Sequence, residues 1–216
     1  KVKDVIERIG HQNPDLVKLT LGPKEPWAYR NKMQMPVGGT KGDIQMGFYA
    51  MGSHDIVQGT NCPIQDEGNN IIAQACYQIA KEFDIEPYNE HTGKGVLRHI
   101  IGRIGQSGWM VILVTATEQL PHKEKWVEKL TERIPQVETI VHNVNGKRTN
   151  VILGPKNNIL YGDGTITDYI KDLQFTLSPH SFFQVNPEQT TVLYDQALAY
   201  ADLKGDETVI DAYCGT

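Results

Sequence analysis

Apolar and polar positions alternate with two different periods along this chain, and the period decides which segments read as strands and which as helices. The cleanest period of two runs over 27–35, where Trp27, Tyr29, Met33 and Met35 share one face and Arg30, Lys32 and Gln34 the other. Such a strand is half-buried. The glycine-rich stretch 38–42 then predicts a hairpin-type loop leading into a second alternating strand, marked by Ile44, Met46 and Phe48. Ile72, Ala75, Cys76, Ile79 and Phe83 recur at helical spacing and place a helix over 65–83, with Cys76 as small core packing. Strands at 96–104 and 109–117 flank a turn, and the second is almost wholly apolar, the mark of a central strand. Trp126, Val127, Leu130 and Ile134 line the buried side of a charged helix over 121–134. A strand at 137–144 and short strands within 151–161 and 165–177 follow, and a short amphipathic helix at 1–9, stopped by Gly10, precedes them all.

The stretch 178–216 has its own order: a polar loop, a capped helix, and an apolar strand running into a glycine turn. Asn186 can accept a backbone N–H as N-cap, Pro187 suits the first helical position, and Gln189 can bond back to the cap. Leu193, Ala197, Tyr200 and Ala201 continue the helix, and Gly205 supplies a left-handed stop. Thr208-Val-Ile-Asp-Ala-Tyr-Cys-Gly215 is how nucleotide-type pockets begin in open parallel sheets. The succession of elements predicts an N-terminal helix in 1–15, an α+β central domain with a mostly antiparallel sheet over 16–177, and at 178–216 the start of an α/β Rossmann-like domain.

Ser181-Phe-Phe-Gln-Val-Asn186, followed by Asp211-Ala-Tyr-Cys-Gly215, resembles the S-adenosylmethionine-dependent RNA uracil-5-methyltransferases, and within them the branch that acts on 23S ribosomal RNA. The resemblance implies Gln184 and Tyr213 as contacts to S-adenosylmethionine, and ribosomal RNA as partner, with Phe183 on the RNA side of the pocket. It implies that the family's catalytic cysteine and proton-abstracting glutamate lie beyond Thr216, and that an RNA-binding barrel and a cysteine-rich segment precede Lys1. The chain is thus expected to be a fragment, inactive alone. Cys214 is expected to be packing rather than the nucleophile. In iron–sulfur members a cysteine in the context Asn61-Cys-Pro63 is the fourth ligand of a 4Fe-4S cluster, so Cys62 would be a metal ligand only beside three upstream cysteines.

Arg30 and Lys32, in Tyr29-Arg-Asn-Lys32, and Arg98 and His99, in Leu97-Arg-His-Ile100, are the further candidates for RNA contact. Arg30 and Lys32 read equally as a solvated outer face, and Arg98 as paired with an acid beside a hydrogen-bonded His99. Both readings stay open at this level. The net charge of −5 speaks against a phosphate partner, although one basic face on an acidic chain is compatible with it. An apolar content of 39% is that of an ordinary globular protein, and no apolar run approaches the ~20 residues of a membrane span. Three cysteines without framework spacing suit a reducing, cytoplasmic compartment, and a monomer is expected. A non-catalytic RNA-binding module, a tRNA uracil-5-methyltransferase and a small-molecule methyltransferase are the competing assignments.

Overall fold

A computed structural model describes residues 1–212. In chain order the elements are α1 (Val2–Arg8), β1 (Lys32–Thr40), β2 (Asp43–Tyr49), β3 (Ile56–Gln58), α2 (Glu67–Glu82), β4 (Leu97–Ile104), β5 (Trp109–Thr115), α3 (Lys123–Arg133), β6 (Val137–Val144), β7 (Lys156–Tyr161), β8 (Ile166–Ile170), β9 (Leu173–Leu177) and α4 (Pro187–Ala201). Seven strands form one sheet in the order β3-β2-β1-β4-β5-β6-β7, antiparallel throughout except for β5 and β6, which run parallel across the α3 crossover. The hairpin β8–β9 is a separate ribbon. The α+β class with a mostly antiparallel sheet is as expected.

The sheet is apolar on both faces, and different elements cover each. On one face Met33, Met35, Val37, Ile100, Val111, Leu113 and Ile140 pack against Ile72, Cys76 and Ile79 of α2 and Trp126 and Leu130 of α3. Each such side chain taken fully out of water contributes roughly 2 kcal/mol. Close approach of α2 needs a glycine opposite it, since a Cβ on Gly102 would lie 2.4 Å from Asn69 Oδ1. On the other face Ile101, Met110, Ile112, Val114 and Val141 meet Ile166 and Leu177 of the hairpin, with Phe175 and Phe183 against them. That second layer brings the chain from β9 back across the sheet.

Several boundaries differ from the sequence expectation for local reasons. Ala28 takes a left-handed backbone at φ 51°, so the extended run begins only at Lys32 and Trp27 stays exposed. Thr40 pairs with Asp43, tightening the hairpin to Lys41-Gly42. The α4 N-cap forms as expected: Asn186 accepts from the Gln189 N–H at 3.0 Å. The helix stops three residues before Gly205, where Asp202 adopts the left-handed conformation at φ 46°, one that aspartate tolerates. Residues 208–210 form no strand, and Val209 and Ile210 are exposed, because no neighbouring strand is present among the described residues to pair with them. No helix among the described residues is long and apolar enough to cross a membrane.

Candidate functional site

The loop 178–186 is built by short-range polar contacts and then fastened to the sheet at two points. At its start the Ser178 N–H donates to Ser181 Oγ at 3.0 Å and the two hydroxyls lie 3.0 Å apart, which closes a tight turn. The Arg103 guanidinium, at the end of β4, donates to the Ser181 carbonyl. Four residues on, the Asn31 N–H donates to the Val185 carbonyl at 2.9 Å. Between those points Phe183 turns inward, 5.3 Å from Phe175, and Phe182 turns out to solvent. Gln184 is left half-exposed beside the second fastening.

Arg30, Lys32 and Arg103 gather at the same corner. Lys32 and Arg103 are direct cross-strand partners in β1 and β4. Because Met33 and Met35 point to the helix-covered face, Lys32 points to the other, where the loop lies. Burial, then repulsion from Arg103 and Arg30, pulls the Lys32 ammonium down to about 8. Burial alone lowers Arg103 to about 10. The Arg30 backbone is held by α2: its carbonyl accepts from the Asp66 N–H at 3.0 Å and from Asn69 Nδ2 at 3.1 Å. The Asn31 side-chain amide donates to the Asp168 carboxylate at 3.5 Å. Loop and sheet meet tightly here, with only about 10 Å³ of space between Lys32, Arg103, Ile166 and Phe183, room for a single water.

Arg98 and His99 lie elsewhere. Arg98 is five residues from Arg103 on β4, roughly 17 Å along the strand. It is buried, lies 4.4 Å over the Tyr88 ring, and donates to the Asn145 carbonyl at 2.5 Å and the Lys147 carbonyl at 2.8 Å. Backbone carbonyls therefore stand where an acid was expected. His99 is buried, its Nδ1 without a hydrogen-bond partner among the described residues. Burial, then Arg98, pulls it down to about 4 against the opposing effect of Glu90, so at neutral pH it carries no charge. The folded state declines a proton that the unfolded chain accepts below 6.5, so the binding of that proton favours unfolding, and stability is lost as pH falls from 6.5 towards 4. The expected result is that His99→Gln flattens the decline of the urea midpoint over that window. An unchanged decline would show that His99 is not its source.

Cys62 is partly exposed at the turn before α2, its backbone clasped by Asn70, which accepts from the Cys62 N–H at 3.0 Å. Cys76 is fully buried, and burial pushes its thiol above the normal range. No group of three His, Cys, Asp or Glu side chains able to hold a metal exists among the described residues, so Cys62 could serve a cluster only with ligands from outside them. Tyr213 and Cys214 lie outside the described residues.

Two features escaped the sequence reading. Glu90 accepts from the Tyr49 hydroxyl at 3.1 Å and lies 2.5 Å from His54 Nδ1, while the Tyr49 and His54 rings stack at 5.0 Å. This tie joins segments with no local pattern in common. A cavity of about 540 Å³ lies at the outer strand β7, between Glu118, His122, Lys123, His142 and Lys156, on other elements than the Gln184 loop. The Lys156 cation there is already paired with Glu118.

With this geometry in hand, comparison with known proteins is informative. No family model matches the chain. Over its whole length the chain is 48% identical to an uncharacterized RNA methyltransferase of Bacillus cereus. It is 49% identical to one of Halalkalibacterium halodurans and 47% identical to one of Clostridium acetobutylicum. It covers 47%, 47% and 48% of those proteins, about half their length. Among solved structures it is similar in fold to the tRNA (uracil-54, C5)-methyltransferase of Pyrococcus abyssi in complex with S-adenosyl-L-homocysteine. The TM-score is 0.71 at 22% identity, over 91% of this chain and 46% of that one. The chain is thus similar from end to end to one half of proteins named as RNA methyltransferases, and it shares the fold of the corresponding part of a uracil methyltransferase.

Proposed function

We propose that the protein carrying this chain is an S-adenosylmethionine-dependent methyltransferase that modifies carbon 5 of a uridine in 23S ribosomal RNA. One observation carries the reading: the loop bearing Gln184 is seated on the corner that gathers Arg30, Lys32 and Arg103. A cofactor site and a phosphate-binding edge would then adjoin, as methyl transfer from a small sulfonium to a polyanion demands. Similarity to RNA methyltransferases along the whole chain supports the reaction class. The protein is read as cytoplasmic and monomeric, with 1–15 a leading helix, 16–177 the RNA-binding domain and 178–216 the start of the methyltransferase domain.

Carbon 5 of uracil is a poor nucleophile. Addition of a thiolate to carbon 6 makes the ring an enolate, carbon 5 accepts the methyl group, and a base removes its proton as the thiolate departs. S-adenosylmethionine supplies that methyl as an activated sulfonium. The thiolate and the base would come from the part of the protein outside this chain. Within the chain, the Gln184 amide would hydrogen-bond the cofactor, and Arg30 and Lys32 would neutralise phosphates beside it. Phe183 would back the pocket, and the uridine would reach it unstacked. Arg98 and His99 would enter only through the RNA further along β4.

The test is transfer of labelled methyl from S-adenosylmethionine by the intact protein to unmodified 23S ribosomal RNA and, separately, to unmodified tRNA. Label at uridine carbon 5 in the ribosomal RNA is expected. Label in tRNA alone would move the substrate to the one named for the structural neighbour, and RNA binding without label in either would leave a non-catalytic RNA-binding protein.

A further inference from the structure

Arg103 is an expensive residue for its place. It is only 3% exposed, its Nε has no hydrogen-bond partner among the described residues, and its directly opposed neighbour on β1 is another cation, Lys32. Burying a guanidinium that pairs with no carboxylate among the described residues costs stability, and a methionine of similar volume would fill the space at lower cost. Packing alone therefore does not account for it. What the charge does achieve is a hydrogen bond to the Ser181 carbonyl, on a segment 78 residues away.

The position of that bond gives it meaning. The Ser181 carbonyl and the Val185 carbonyl are the two points at which the loop is bonded to the sheet, the first by Arg103 and the second by the Asn31 N–H. Gln184 is inside the span they define, beside Phe183, whose ring packs on Phe175, and Phe182, which is exposed. Release of the first point would leave the stretch between the Ser178–Ser181 turn and Val185 held against the sheet by Phe183 alone, and the amide of Gln184 would sample more orientations. Side-chain and loop ordering on binding then weakens the complex.

We propose that Arg103 is a positioning residue of the cofactor loop: from the sheet it fixes the Ser181 carbonyl and so presets Gln184 for S-adenosylmethionine, while Lys32 and Arg30 on the same corner are left to the RNA. The proposal rests on the reading of 178–186 as the cofactor loop.

The experiment compares Arg103→Met, Arg103→Lys, Lys32→Met and Gln184→Ala in the intact protein. Three quantities are read: the dissociation constant of S-adenosylhomocysteine, the hydrogen exchange of peptides over 178–186 and over β5, and the salt dependence of RNA binding. Both Arg103 variants are expected to bind S-adenosylhomocysteine about tenfold more weakly, the loss of one charge-assisted hydrogen bond. Exchange should accelerate over 178–186 and stay unchanged over β5. The salt slope should fall only for Lys32→Met, by about one phosphate contact. Arg103→Lys keeps the charge with a shorter reach, and it decides the matter if the methionine variant loses β5 protection. The proposal is overturned if Gln184→Ala weakens S-adenosylhomocysteine and neither Arg103 variant does, or if the Arg103 variants lower the salt slope with normal cofactor affinity. If Gln184→Ala also binds normally, the loop assignment itself falls.

Discussion

Replacing Gln184 by alanine in the intact protein should reduce methyl transfer at limiting S-adenosylmethionine by roughly 10- to 100-fold, with no measurable loss of stability. The two halves of that expectation come from different features. The Gln184 side chain is half-exposed and makes no hydrogen bond among the described residues, so its removal strands no buried group in the free protein. Surface changes of that kind stay within about 0.5 kcal/mol. In the complex the same amide would satisfy a polar group of the cofactor in a site from which water is excluded, and loss of such a bond costs about 1–3 kcal/mol. The kinetic pattern separates two roles. A rise in KM for the cofactor with unchanged kcat marks a contact made equally in ground and transition states, and a fall in kcat marks one made in the transition state alone. Full activity at subsaturating cofactor, in a protein with an unchanged melting temperature, would remove Gln184 from the site.

The features legible in the sequence are those whose cause lies within a few residues. The Asn186 cap bonds a group three residues away, and the strand at 137–144 ends as expected between a helix and an asparagine-glycine turn. The helical stripe of Ile72, Ala75, Cys76 and Ile79 is buried as its period requires. The features that a sequence pattern leaves open depend on partners that no period reports. Alternation marks 165–177 as strand but says nothing of which strand it meets, and the segment forms a ribbon of its own over the second face. Arg98 bonds carbonyls 47 and 49 residues along the chain, and Arg103 one 78 residues along. An arginine in an apolar strand announces a partner without identifying it. The candidate site shows the same division. Gln184 stands out by its motif, whereas the corner that seats its loop is a product of β1 and β4 register.

Register also explains a large stability effect expected at Asn143 on β6. This fully buried amide donates to the Gly154 carbonyl at 2.8 Å and to Asn157 Oδ1 at 2.7 Å, and its Oδ1 accepts from the Gly154 N–H at 2.8 Å. It thereby satisfies both backbone groups of a buried glycine. Gly154 has nowhere else to go, since a Cβ there would lie 1.8 Å from the Val144 carbonyl oxygen, so the two backbones are already in contact. Asn143→Ala removes both partners and admits no compensating shift. Two stranded backbone groups at about 1–3 kcal/mol each give an expected loss of roughly 3 kcal/mol. Asn157→Ala, at an exposed position, removes one of the same bonds and should cost about 0.5 kcal/mol or less. Hydrogen exchange of β6 and β7 in the intact protein measures the difference directly. Protection there should fall about a hundredfold for Asn143→Ala and stay near wild type for Asn157→Ala. Equal protection in the two variants would mean that Gly154 finds other partners and that β7 is held by its ladder to β6 alone.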